Sequence, residues 1–187
     1  MTGDQPKRAD AVRNRRLALD ATKTLLAQRE ASITVEAIAR QAGLGAGTVV
    51  RAFGNKEALI DAAVADLLDP LIQRAEDTLS ERDPGQALRV FLLDMIEFQS
   101  AHWVISEQLR GLKVPLTTAR RAVLHQTLHD MIDRARQNGA VRRDIDTSVI
   151  AVLLGEMSYA VARSDDASRQ LAESFIAIAM DGLHPRT

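Results

Sequence analysis

TVEAIARQAGLGAGTVVRAFGNKEAL, residues 34–59, reads as two short helices joined by a glycine turn and followed by the start of a long third helix. Thr34 is a good N-cap, and Ala37 stands where an acid would complete a capping box. The first short helix, Val35 to Gln41, stops at Gly43, which adopts positive φ without a Cβ clash. Gly45, Ala46 and Gly47 bracket the start of the second short helix, about Thr48 to Phe53. Gly54-Asn55 then caps the long helix that begins with Lys56. These are the dimensions of a helix-turn-helix. Ala39 is small where the helices cross, Ile38, Leu44 and Val49 fix their angle, and Phe53 plugs the end of the second helix.

The outer surface left over is small or polar. Gly45, Ala46 and Gly47 give the second helix a slim start, suited to deep entry into a major groove about 12 Å wide. Thr48 can donate to phosphates or base edges, and Arg51 can fork onto guanine or phosphate. Val50 lies on the same face. Lys56 opens a helix whose free N–H groups favour phosphate. Lys7, Arg8, Arg13 and Arg16 offer an arm or phosphate rail. The competing reading is a solvated charged face, the usual fate of such clusters. A segment in which fold positions and base-accessible positions agree favours DNA.

The rest of the 187-residue chain is consistent with this. Apolar residues make up 46% and charged residues 26%, enough for a sizeable core, and aromatics are only 3%, which argues against an aromatic-rich β architecture. Cysteine is absent, so disulfides, thiolate nucleophiles and Cys-based metal sites are excluded. No apolar run reaches the ~18 residues of a membrane span, and no h-region follows the N-terminal charges. A soluble cytoplasmic protein is expected. The net charge of -1 hides an asymmetry: residues 1–60 carry ten Lys/Arg against six Asp/Glu, and residues 61–187 carry 14 against 19. A basic front and an acidic rear imply two tasks.

Helical periodicity runs almost throughout, giving an all-α chain of about nine helices. The first covers about 8–29, with Ala18, Leu19, Ala21, Thr22, Leu25 and Leu26 in one stripe. The long helix extends to about Glu81, with a kink or local break expected at Pro70. Asp83-Pro84-Gly85 stops and restarts the chain. Further helices are expected at 85–101, 103–111, 117–138, 146–163 and 167–183.

With these residues in view, the sequence resembles the TetR family of bacterial transcription regulators. That family reads G-[VI]-x-x-G-T-[LV]-Y-x-[HY]-F-x-x-K-x-x-L here; Gly43, Gly47, Thr48, Val49, Phe53, Lys56 and Leu59 match in place and spacing, and Leu44 supplies an aliphatic side chain at the [VI] position. Three positions depart from the pattern. Val50 replaces an aromatic that commonly touches the DNA backbone, Ala52 replaces His or Tyr, and Gly54 replaces the usual Pro.

The resemblance implies a three-helix DNA-binding head over residues 1–55 and a helical-bundle ligand-binding and dimerisation domain over 56–187. The DNA-side residues are then Arg13, Arg16, Thr34, Gly45, Ala46, Gly47, Thr48, Val50, Arg51 and Lys56. The last two helices are expected to pair with their copies through Val149, Val152, Leu153 and Met157 on one and Leu171, Phe175 and Ile178 on the other, or else to form intrachain core. Candidate pocket walls are Phe91, Met95, Phe98, Trp103, Leu128, Met131 and Tyr159, with Leu109 beside them; for each, plain core packing is the alternative. The implied partners are an operator duplex, a second copy and a small, fairly hydrophobic effector.

His125 and His129 stand four apart with Asp133 on the same face, a spacing that can chelate, but no further ligand pattern accompanies them, so no metal is expected. No nucleophile elbow, phosphate loop or dinucleotide fingerprint is present, so neither catalysis nor a cofactor is expected. The expected function is a repressor that binds a palindromic operator as a homodimer and is released by a small ligand. The alternative is a helical ligand-binding or scaffold protein with a weakened head.

Overall fold

In the computed structural model, residues 5–28, 32–80, 82–102, 105, 108–164 and 168–185 are described. They form eight helices: α1 (Gln5–Leu26), α2 (Val35–Ala42), α3 (Ala46–Phe53), α4 (Lys56–Leu79), α5 (Pro84–Ala101), α6 (Pro115–Gln137), α7 (Thr147–Ala162) and α8 (Arg169–Leu183). No strand occurs among the described residues. The helix expected at 103–111 falls largely on residues 103, 104, 106 and 107, outside the described set, as does Trp103.

Helix ends follow local chemistry. Thr34 Oγ1 accepts from the Ala37 amide at 3.1 Å and Asn55 Oδ1 from that of Ala58 at 2.8 Å. Asp83 accepts from Gly85 and Gln86, with Pro84 at the first helical position, and Asp146 and Ser168 cap α7 and α8. Of the kink or local break expected at Pro70, the break is absent: α4 passes through Pro70 unbroken. Pro70 is exposed and removes a single donor, while the flanking Leu68 and Leu71 are buried and hold the helix on either side.

The chain forms two compact units. The first contains residues up to Leu68 together with 104–118, and the boundary inside α4 lies two residues before Pro70. In this unit α1, α2 and α3 pack on one another around Ala18, Leu26, Ile38 and Val49, extended by Leu59, Ile60 and Val64 of α4. Lys23 of α1 donates to Asp66 of α4 at 2.6 Å and pairs with Asp20 at 2.9 Å. Burial pulls the Lys23 amine down, but these carboxylates outweigh it and hold the amine above its usual value; the hydrogen bond from Lys23 holds Asp20 below its own. The tie is thus complete at neutral pH. It is lost as acid protonates Asp20 below the usual carboxylate range, and as base deprotonates Lys23 above the usual lysine range.

Asp61 fixes the start of α6. Its side chain, 3% exposed, accepts from the backbone N–H groups of Thr117 at 2.8 Å and Leu116 at 3.0 Å. The Thr117 hydroxyl donates back to the Asp61 carbonyl at 3.3 Å. A carboxylate at a helix N-terminus satisfies free N–H groups and meets the positive end of the helix dipole.

The second unit holds residues 69–103 and 119–187. Here α5 packs against both α7 and α8 around Leu88, Phe91, Leu92, Ile96, Ile150, Leu154 and Ile176. The Ser100 hydroxyl donates to the Ala162 carbonyl, and Arg169 of α8 pairs with Glu97 of α5 at 3.0 Å, so α5 and α8 run antiparallel. Arg142 grips Asp144 with two nitrogens and donates to the Gly182 carbonyl, closing the turn between α6 and α7 onto the end of α8.

Replacing Asp61 with Ala leaves the buried Thr117 N–H and the part-buried Leu116 N–H without their partner, and stability in urea is expected to fall by about 2 kcal/mol. Asp61→Asn keeps one acceptor and is expected to lose less. Equal midpoints for wild type and Asp61→Ala would show that the cap contributes nothing.

Candidate nucleic-acid interface

The recognition surface is built by the turn between α2 and α3. Gly43 ends α2 at φ 66° and ψ 30°, a left-handed conformation that favours glycine. The Leu44 amide returns to the Ala39 carbonyl at 2.9 Å. Ile38, Ala39 and Val49 are buried between the helices, and Leu44 is half-buried. Val49 alone of α3 is fully buried, so the rest of that short helix is free to face outward.

What faces outward is the expected set. Gly45, Ala46, Gly47, Val50 and Arg51 are exposed and Thr48 is half-buried. Lys56, the first residue of α4, is exposed, as are Arg13 and Arg16 of α1; Arg16 approaches Asp20 at 3.4 Å. Thr34 is half-buried and its oxygen serves the α2 cap, which leaves the hydroxyl hydrogen available.

Gly47 has no reason within the chain. A Cβ there would meet nothing within 4 Å, and its φ is not positive. Glycine inside a helix costs roughly 1 kcal/mol relative to Ala. Neither packing nor backbone conformation requires it, and the same holds for Gly155 in α7 and Gly182 in α8.

Arg15 was not singled out by the sequence. Its guanidinium lies 4.1 Å from the Phe53 ring centroid, and Nη1 donates to the Ala52 carbonyl at 2.8 Å. It holds Phe53 and satisfies a carbonyl at the end of α3 together. The partners lie 37 residues away, so no local pattern reveals the contact.

In the second unit, Phe91, Leu128 and Met131 are buried, while Met95, Phe98 and Tyr159 are half-buried. The Phe98 ring lies 4.6 Å from that of His102, and Arg163 donates to the Tyr159 hydroxyl. Leu109 is buried and belongs to the first unit. Among the described residues four buried side-chain polar atoms lack a protein partner: Gln99 Oε1 on α5, His129 Nε2 and Arg136 Nη2 on α6, and Ser158 Oγ on α7. Ser158 could have been noticed as a polar interruption of the α7 stripe; nothing local marks Gln99. His125 and His129 rings stack at 4.7 Å, and Asp133 accepts from the Thr147 hydroxyl. No group of three metal-ligating side chains is found among the described residues. An open recess of about 200 Å³ between the start of α5 and the end of α8 is lined by Asp83, Gln86, Arg89, Asp181 and His184 among others, none of them expected pocket residues.

On α7, Val149, Val152, Leu153 and Met157 are exposed, the middle pair at 56% and 54%, and Ile178 of α8 is 72% exposed. Leu171 is half-buried. Phe175 instead packs inside its own subunit, in line with Ala172, Ile176 and Met180 on the buried face of α8. No helix among the described residues is long and apolar enough to cross a membrane.

An all-helical chain with a buried-angle helix pair, a slim exposed second helix and a basic surround is a helix-turn-helix regulator. Residues 18–63 match the bacterial regulatory proteins of the tetR family, and residues 83–185 match the C-terminal domain of SbtR-like transcriptional regulators. The chain belongs to the TetR family. It is similar to a TetR regulatory protein of Mycobacterium vanbaalenii, with 32% identity, TM-score 0.67, and 96% of this chain and 99% of that one covered. A TetR regulator of Streptomyces coelicolor, SCO0520, shares 28% identity at TM-score 0.68, covering 92% and 99%. FadR of Bacillus subtilis, whose structure holds stearoyl-CoA, shares the fold at 18% identity and TM-score 0.74, covering 90% and 99%. No curated protein matches the chain by sequence.

Replacing Arg15 with Ala is expected to speed hydrogen exchange of the α3 amides about tenfold, from roughly 1–2 kcal/mol of local stabilisation. Unchanged α3 protection would remove Arg15 from this role.

Proposed function

We propose that this protein is a cytoplasmic, non-enzymatic repressor that binds a palindromic operator as a homodimer and is released by a small, fairly hydrophobic effector. It uses no metal and no cofactor. The division of labour falls at 55/56, with the head reading DNA and the remainder binding effector and partner. The single observation that carries the DNA reading is the outer face of α3, where Gly45, Ala46, Gly47, Val50 and Arg51 are all exposed around a buried Val49. The net positive charge of residues 1–60 supports it.

The exposed apolar stripe of α7 with Ile178 supports the homodimer, since two identical readers suit two half-sites about 34 Å apart. The apolar interior of the second unit supports an apolar effector, and the unpartnered Ser158, Gln99 and His129 atoms support a polar group on it. The related FadR fold carries a fatty acyl thioester. Release follows if the effector binds best to the conformation in which α4 carries the heads at the wrong spacing, with Pro70 localising the bend.

A gel shift with DNA flanking its own gene tests the reading: tight, salt-dependent, palindrome-specific binding is expected, whereas weak, sequence-indifferent binding indicates a scaffold. Arg51→Ala is expected to weaken operator binding about 10- to 100-fold. Gly47→Ala is expected to raise stability by about 0.5–1 kcal/mol yet weaken binding roughly tenfold through overpacking; a variant that is both more stable and equally tight would sink the close-approach argument. Leu153→Arg is expected to convert a sedimenting dimer to monomers, and persistence of the dimer would reassign the interface.

A further inference from the structure

The outward face of α3 has two columns at helical spacing. Ala46 and Val50 form one, and Gly47 and Arg51 form the other. The second column is a clearance followed by a guanidinium. The first is purely apolar, and Val50 is 43% exposed at its lower end.

An exposed valine on a reading helix has restricted chemistry. It has no donor or acceptor, so it cannot bond a phosphate or a polar base edge. Along the major groove the base edges present donors, acceptors and one apolar group, the C5-methyl of thymine. Val50 lies outside the buried set Ile38, Ala39 and Val49 that closes the interior of the helix pair. Resting on the DNA-binding reading above, we propose that Val50, with Ala46 beside it, is a specificity-determining residue that selects thymine in each half-site through contact with its C5-methyl group. Where the family pattern has an aromatic, this chain exchanges a larger ring for sequence discrimination by a branched aliphatic group.

Thymine and uracil differ only by that methyl, which gives a clean test. The full-length protein is used to select its best-bound duplexes from a randomised pool. Each thymine of the winning site is then replaced by uracil, symmetrically in both half-sites, and affinities are measured for wild type and Val50→Ala. Alanine at this exposed position favours the helix, so the variant is expected to fold, as circular dichroism verifies. Loss of one buried methyl is expected to weaken binding about fourfold per half-site and roughly fifteenfold for the symmetric pair. At one thymine this penalty is expected for wild type and is expected to vanish in Val50→Ala. A wild type indifferent to every uracil, or a penalty that persists unchanged in Val50→Ala, overturns the proposal while leaving DNA binding intact. Failure to select any sequence above the background pool overturns the DNA-binding reading and this inference with it.

Discussion

The side chain of Asp61 holds two parts of the chain that are far apart in sequence. It sits on α4, the helix that continues directly from the recognition turn, and it accepts the first free N–H groups of α6. Because it is buried, water cannot substitute for either partner, and so the start of α6 has one favourable position relative to α4. This is why residues 104–118 group with the head, although 83–185 match a C-terminal domain.

Local chemistry was legible in the sequence, and distant chemistry was not. The caps Thr34, Asn55 and Asp83, the turn at Gly43 and the slim start of α3 each depend on neighbours within four residues, and each is found as read. Asp61 and Arg15 depend on partners 55 and 37 residues away, and in isolation they read as ordinary surface charges. Taken alone, Pro70 predicts a kink or a local break; the helix nevertheless runs on unbroken, with buried leucines on both sides.

The candidate sites divide in the same way. The exposed surface of α3 follows from the motif, since fold positions and reading positions are interleaved within one turn. The rear domain is harder because apolar periodicity marks a face without saying what covers it. Phe175 and Ile178 lie three apart on α8 and read as one stripe, yet one closes the subunit's own core and the other stands in solvent. Only the packing of α8 against α5 and α7 separates them. Likewise Ser158 and Gln99 acquire meaning from the burial of their polar atoms, which no spacing encodes.

The uncovered apolar face of α7 has a consequence for how the protein behaves at different abundances. In the proposed homodimer, where a second copy covers the exposed valines, leucine and methionine of α7, association becomes a source of stability, and association depends on concentration. A regulator built this way is sturdier when plentiful and more easily unfolded or degraded when scarce. Its lifetime thereby becomes a record of its own copy number.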